Sequence, residues 1–298
     1  MEAGESIAPP VVHSEDNPDC PFCPGEKKEF TTFDGAKNNS ETLGKNMDDP
    51  DGFANSRESG ARPKDPPSKR EKASLKKPAP IGVHPDPSIG AYSCEPHHLL
   101  SGKQALAKNN EHHFEQWIKA SHGTISADTG YSVNNYDNGI WMPSVPENTK
   151  GKAGAWGKMD RQSVANEIMA QTRRQFHKGG HNIKETRVDE HGRRVPVPKE
   201  KRLHEQYDEF LINKLTVMND RMNGWADVCP NCFEGDIKKE KLQPSVRVNE
   251  ALDRLSGIAK REIVGSRERW TLFISALAWI YHEEVCTHGH SEPETETI

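Results

Sequence analysis

Ala91-Tyr92-Ser93-Cys94-Glu95-Pro96-His97-His98-Leu99-Leu100 is the stretch on which the reading turns. A short segment with strand character runs into two adjacent histidines and then into two leucines. The leucines would anchor the backbone in a core while the imidazoles face a cleft. A lone histidine is usually a surface residue or a satisfied core group, so most of the 14 histidines are set aside. His112 and His113 fall on an expected helix, cannot share one face and are read as structural.

Working outward, Asn135 to Gly139 carries turn chemistry, and Ile140 to Met142 is expected to be a strand. Further on, His177-Lys178-Gly179-Gly180-His181 sets two imidazoles four residues apart, the spacing that aligns side chains on one helix face. The glycines are poor helix formers but allow a phosphate to come close. By spacing alone the pair is as readily incidental as functional. Three imidazoles holding a metal with open positions would bind a phosphate oxygen, and a fourth imidazole would deprotonate water.

Taken in order, Glu95-Pro96-His97-His98-Leu99-Leu100, Asn138-Gly139-Ile140-Trp141-Met142-Pro143, His177-Lys178-Gly179-Gly180-His181 and a downstream Tyr207 resemble the AHH branch of the HNH/endonuclease VII nuclease superfamily. The resemblance covers about Ala91 to Leu215. It implies a ββα-metal (His-Me) finger, in which two strands and a helix surround one divalent ion. By position it makes His97 a metal ligand, His98 the general base, and Asn138 the group that orients the base through backbone contacts. His177 and His181 become the remaining ligands, and the roles of His97 and His98 are exchangeable. The implied activity is metal-dependent endonucleolytic hydrolysis of nucleic acid, DNA foremost. Many members of the branch are bacterial toxin domains, delivered by secretion systems and restrained by a cognate immunity protein. Imidazole ligands suit Zn²⁺ or Ni²⁺, while open sites and phosphate also permit Mg²⁺ or Mn²⁺.

Two departures from the branch stand out. Glu95-Pro96 replaces its alanine, and about 30 residues, Ser144 to Arg173, separate the Asn strand from the His pair. That insertion is either a basic lid or a helix packed on the finger. As a lid, it would bring Trp156, Arg173 and Arg174 to phosphates and bases. Lys178 and Lys184 would neutralise neighbouring phosphates, so binding would weaken with salt.

The net charge of -5 hides a division along the chain. From Thr149 to His204 there are 14 Lys/Arg against 6 Asp/Glu, whereas the first 19 residues and the stretch from Glu283 onward hold five acids each and no Lys or Arg. A basic middle suits a phosphate-binding surface, and a solvated helical face is the plain alternative. Cys20-Pro21-Phe22-Cys23 and Cys229-Pro230-Asn231-Cys232 have the spacing of zinc knuckles and together supply four thiolates for a structural Zn²⁺. Each could instead pair locally with Cys286, His288 or His290. Cys94 is read as a buried small residue.

With 33% hydrophobic residues and a mean hydropathy of -0.89, part of the chain is not expected to pack. No apolar run reaches the roughly 18 to 20 residues of a membrane span. The acidic start lacks the basic residues of a secretory signal. The expected protein is soluble, made in the cytoplasm, and exported, if at all, without a cleaved signal. Four segments are expected: an N-terminal Cys-knuckle segment over 1–33, a flexible linker over 34–90, a nuclease domain over 91–218, and a Cys-knuckle and helical region over 219–298. Helices are expected near Lys103–Ala120, Arg161–Phe176, Lys201–Met218, Val246–Ile263 and Arg267–Val285, with a basic hairpin-like loop at Val188–Pro198. The expected fold class is therefore α+β, mostly helical, with a finger core, added helices and a zinc site of four cysteines. The rival reading is a non-catalytic, zinc-stabilised nucleic-acid-binding or adaptor protein with structural histidines.

Overall fold

The computed structural model describes residues 37–54, 69–82, 84–107, 113–150, 156, 159–177, 186–188, 191, 193–196, 203–228, 233–234, 237–238, 241–265 and 267–286. Over these the fold is α+β and largely helical, with three small two-stranded sheets. The chain divides into two compact units. One draws on Met1–Lys76, Pro96–Ile140 and Asp208–Ile258, the other on Lys77–Glu95, Trp141–Tyr207 and Ala259–Ile298. Strands β1 (Ser93–His98) and β2 (Gly139–Ser144) form one of the sheets. Among the described residues no helix is long and apolar enough to cross a membrane.

In the first unit, part of the stretch expected to be a linker is helical among the described residues. Helices α1 (Ser40–Asp48), α2 (Pro50–Ala54) and α3 (Lys69–Leu75) lie within the 34–90 stretch. Asn39 caps α1, its side chain accepting from the Thr42 N–H at 3.0 Å, which satisfies one of the donors a helix start leaves open. Leu43 and Met47, one helical turn apart, are buried together with Phe53. Phe53 meets Tyr136 edge to face at 5.6 Å. Gly139 sits so close to α1 that a Cβ there would lie 2.6 Å from Met47 Sδ and 2.8 Å from Leu43 Cδ1. A polar composition hides such a helix because a single apolar stripe is enough to dock it. Leu43→Ala is therefore expected to cost roughly 2–5 kcal/mol in urea unfolding, against less than about 0.5 kcal/mol for a linker position.

Elsewhere in this unit, two longer helices face the core with apolar residues at helical spacing. Helix α5 (Leu203–Val228) buries Leu211, Leu215, Met218, Met222 and Ala226, and α6 (Val246–Ile263) buries Val248, Leu252 and Leu255. The helix expected over Lys103–Ala120 is not continuous. A π-helical turn at Gly102–Ala107, where the Ala105 and Leu106 N–H groups both donate to Ser101 O, is followed by a 3-10 turn at Phe114–Trp117. His113 between them is left-handed, with φ 49°, which ends the 3.6-residue period. The short antiparallel pair of β5 (Phe233–Glu234) and β6 (Ile237–Lys238) also belongs here.

In the second unit, α4 (Arg161–Thr172) starts at an Asp160 cap and stops at Arg173, which is left-handed with φ 53°. It packs against α7 (Ala276–Cys286), where Gln162 Nε2 donates to Leu277 O at 3.0 Å, and it buries Val164, Ala165, Ile168 and Met169. The helix expected from Arg267 begins only at Ala276. Tertiary partners take the backbone groups before that point: Thr271 N–H donates to Glu262 O, Ile274 N–H donates to Gln175 Oε1, and Ser275 Oγ caps the helix by accepting from Ala278 N–H. The basic loop is a true antiparallel hairpin, β3 (Thr186–Val188) pairing with β4 (Arg194–Pro196).

Candidate active site

The sequence Tyr131-Ser132-Val133-Asn134-Asn135-Tyr136-Asp137-Asn138 places three asparagines in one turn, and each has a separate task. Asn135 caps the 3-10 turn Tyr136–Asn138, its Oδ1 accepting from the Asn138 N–H at 3.1 Å, while its Nδ2 donates to Ser132 O. Asn138 is wholly buried. Its Nδ2 donates to Leu100 O at 2.8 Å and to Val133 O at 2.7 Å. Its Oδ1 accepts from Leu100 N–H at 2.6 Å and lies 2.8 Å from the Ser256 hydroxyl of α6. Its backbone carbonyl accepts from Leu99 N–H at 2.9 Å. A carboxamide has two donors and two acceptor sites, and every one is used. Asn138 thus clamps the two residues that follow His98 and ties them to Val133.

Asn134 is the third of these asparagines, and sequence reasoning passed over it. Its Oδ1 lies 2.8 Å from His98 Nε2 and also accepts from the Asn39 N–H at 2.9 Å, while its Nδ2 donates to Lys37 O at 3.2 Å. Only the turn chemistry of the segment marks it in the sequence. His98 and His97 are 8% and 3% exposed. Burial pulls the His98 imidazole below its ordinary 6.5, opposed by the hydrogen bond to Asn134. An imidazole so placed is neutral near pH 7, the state in which it can accept a proton.

The second unit holds its own polar group. Glu95, on β1, has Oε2 3.3 Å from His177 Nδ1 and Oε1 3.3 Å from Lys150 Nζ. The hydrogen bond with His177, then the charges of His177 and Lys150, outweigh burial and hold the carboxyl at about 2. His177 does not sit on a helix: α4 has ended at Thr172, and the His177 N–H donates to Pro143 O at 2.7 Å rather than to a carbonyl four residues back. His177 thus lies outside α4, and the rest of the pair, through His181, lies outside the described residues. Arg174 gives Nη1 to Trp141 O at 2.6 Å, which ties it to β2, and is partly desolvated. Arg173, on the other hand, is exposed. Trp156 stacks on Phe176 with centroids 5.5 Å apart, which covers one face of the indole. Cys94 is buried, its thiol pushed up to about 11 mainly by desolvation, as befits an inert side chain.

His97, His98, Asn134 and Asn138 thus share the first unit, whereas Glu95, His177, Arg173 and Arg174 belong to the second. His181, Lys178, Lys184 and the four knuckle cysteines Cys20, Cys23, Cys229 and Cys232 lie outside the described residues. Among the described residues no three His, Cys, Asp or Glu side chains are gathered to hold an ion, so these residues alone do not make up the expected ligand set. Comparison with protein families, with curated proteins and with solved structures gives no match.

Proposed function

We propose that the chain is a metal-dependent endonuclease that hydrolyses phosphodiester bonds of nucleic acid, DNA foremost, with His98 as general base and Asn138 as the residue that orients it. The observation that carries this reading is the Asn138 clamp. A buried carboxamide with all four positions engaged fixes the backbone that leaves His98, which is what holding a base against its substrate demands. The same resemblance in His97-His98, Asn138 and His177 suggests a ββα-metal finger and a bacterial toxin with an immunity partner. Both are parts of this proposal, as is a structural Zn²⁺ on Cys20, Cys23, Cys229 and Cys232.

In the reaction, His98 takes a proton from water as the water oxygen bonds to phosphorus. The bond from phosphorus to the 3′ oxygen breaks, and that oxygen leaves with the electron pair and gains a proton from solvent. The products are a 5′-phosphate and a 3′-hydroxyl. A divalent ion would supply charge neutralisation at the phosphate, but the described donors do not complete a site for it, and the steps above belong to the side chains. Burial keeps the base neutral and water sparse around it, both of which favour transfer of a proton from one positioned water.

The test is cleavage of supercoiled plasmid across titrations of Mg²⁺, Mn²⁺, Ni²⁺ and Zn²⁺, with chelator controls. Nicking and linearisation that depend on an ion and slow with added salt are expected. Plasmid binding with no cleavage under any of the four ions would leave the zinc-stabilised binding or adaptor reading, with His97 and His98 as core histidines.

A further inference from the structure

The orientation of the Asn134 amide is fixed independently of His98. Its Oδ1 faces the Asn39 N–H, which can only donate, and its Nδ2 faces Lys37 O, which can only accept. Turning the amide over would set donor against donor at Asn39 and acceptor against acceptor at Lys37, at the cost of both bonds. The atom 2.8 Å from His98 Nε2 is therefore an oxygen. An oxygen there requires a hydrogen on Nε2, because two lone pairs at that distance repel. In the neutral ring the lone pair then sits on Nδ1.

We propose that Asn134 is the positioning residue of His98, holding the imidazole in the tautomer that bears its hydrogen on Nε2, so that Nδ1 is the atom that takes the proton from the attacking water. The catalytic part of this proposal rests on the nuclease reading above, and the tautomer part rests on hydrogen-bond geometry alone. Asn134 is itself held on its backbone side, where its carbonyl accepts from Asn46 Nδ2 at 2.7 Å and its N–H donates to Ser132 Oγ at 3.2 Å. Lys37, Asn39 and Asn46 all belong to α1 or the residues leading into it. The first described segment of the chain is thus a brace for the base, reaching His98 through a single asparagine. Such a support, one contact removed from the reacting group, sets both the tautomer and the ring angle.

The test compares the wild type with Asn134→Leu, which removes the acceptor, and Asn134→Asp, which keeps an oxygen toward both His98 and Asn39 and gives up only the bond to Lys37 O. Nuclear magnetic resonance of isotope-labelled imidazole nitrogens reads the tautomer of the His98 ring, assigned by its loss in His98→Ala. Plasmid cleavage reads kcat and KM. The wild type is expected to show a single tautomer with hydrogen on Nε2. Asn134→Leu is expected to show a mixture of tautomers and a kcat lower by roughly 10- to 100-fold at nearly unchanged KM. Asn134→Asp is expected to keep the single tautomer and a kcat above that of Asn134→Leu. A wild-type ring with hydrogen on Nδ1, or a single Nε2–H tautomer with full kcat in Asn134→Leu, overturns the proposal. So does equal loss of kcat in both variants with an unchanged tautomer. If the wild type cleaves nothing, the nuclease reading fails by itself, and the wild-type and Asn134→Leu spectra still decide the tautomer part.

Discussion

His98→Ala is expected to slow single-turnover plasmid cleavage by roughly 100- to 10,000-fold, the range a positioned general base supplies, while the protein stays folded. Removing the ring opens a small cavity beside Asn134, but Asn134 Oδ1 keeps the Asn39 N–H as a donor. No buried acceptor is stranded, and the loss of stability is expected to stay within the ordinary range of a point mutation, about 0.5–3 kcal/mol. Circular dichroism and thermal unfolding check the fold alongside the rate. A variant that folds and cleaves as fast as the wild type removes His98 from the mechanism.

Asn138→Leu is expected to be the most destabilising polar substitution in the first unit. The side chain is wholly buried, and leucine repeats its branching but offers no partner to Leu100 N–H, Leu100 O or Val133 O, while the Ser256 hydroxyl keeps Leu252 O. Each buried polar group left without a partner costs about 1–3 kcal/mol. With partial relaxation, about 4 kcal/mol in total is expected, which lowers Tm by roughly 10 °C at this domain size. The fraction that remains folded should cleave as poorly as His98→Ala, because the backbone beyond the base is no longer held. The measurements are thermal unfolding and cleavage below the variant's own transition. A Tm within about 2 °C of the wild type would mean that the clamp is not a keystone of the unit.

The parts of this fold that are legible in the sequence are those with an uninterrupted period. Helix α6 occupies Val246–Ile263, the span its apolar spacing predicts, because Val248, Leu252 and Leu255 recur on one face. The hairpin of β3 and β4 follows from turn residues between short β-prone runs. Helix α1 was missed because Leu43 and Met47 are two apolar residues in a polar stretch, and average composition gives more weight to the polar ones. Its capping Asn39 and the i, i+4 pair were the available signals. The two broken helices failed for a different reason. Backbone groups near Arg267–Ser275 are satisfied by residues distant in sequence, such as Gln175, and no local pattern encodes that.

The candidate site divides in the same way. His97, His98 and Asn138 stand out because the order of motifs singles them out. Asn134 does not, because an asparagine in a turn looks like any other turn asparagine until its partner is known. Ser256 was hidden too, since nothing local says that a helix serine over 100 residues downstream will meet Asn138. His177 lies beyond the end of α4 at Arg173, and His181 lies outside the described residues.

The most direct test of the central claim, that water activated at His98 attacks a phosphodiester, is to follow the oxygen. Plasmid is cleaved in a single turnover in water carrying a heavy oxygen isotope, with the divalent ion that the titration selects, and the product ends are analysed. Expected are 5′-phosphate ends that have gained one heavy oxygen, 3′-hydroxyl ends that have gained none, and labelled ends that form roughly 100- to 10,000-fold more slowly with His98→Ala. Cleavage that leaves 3′-phosphate ends, labelled ends formed as fast by His98→Ala as by the wild type, or no cleavage with any ion would contradict that claim.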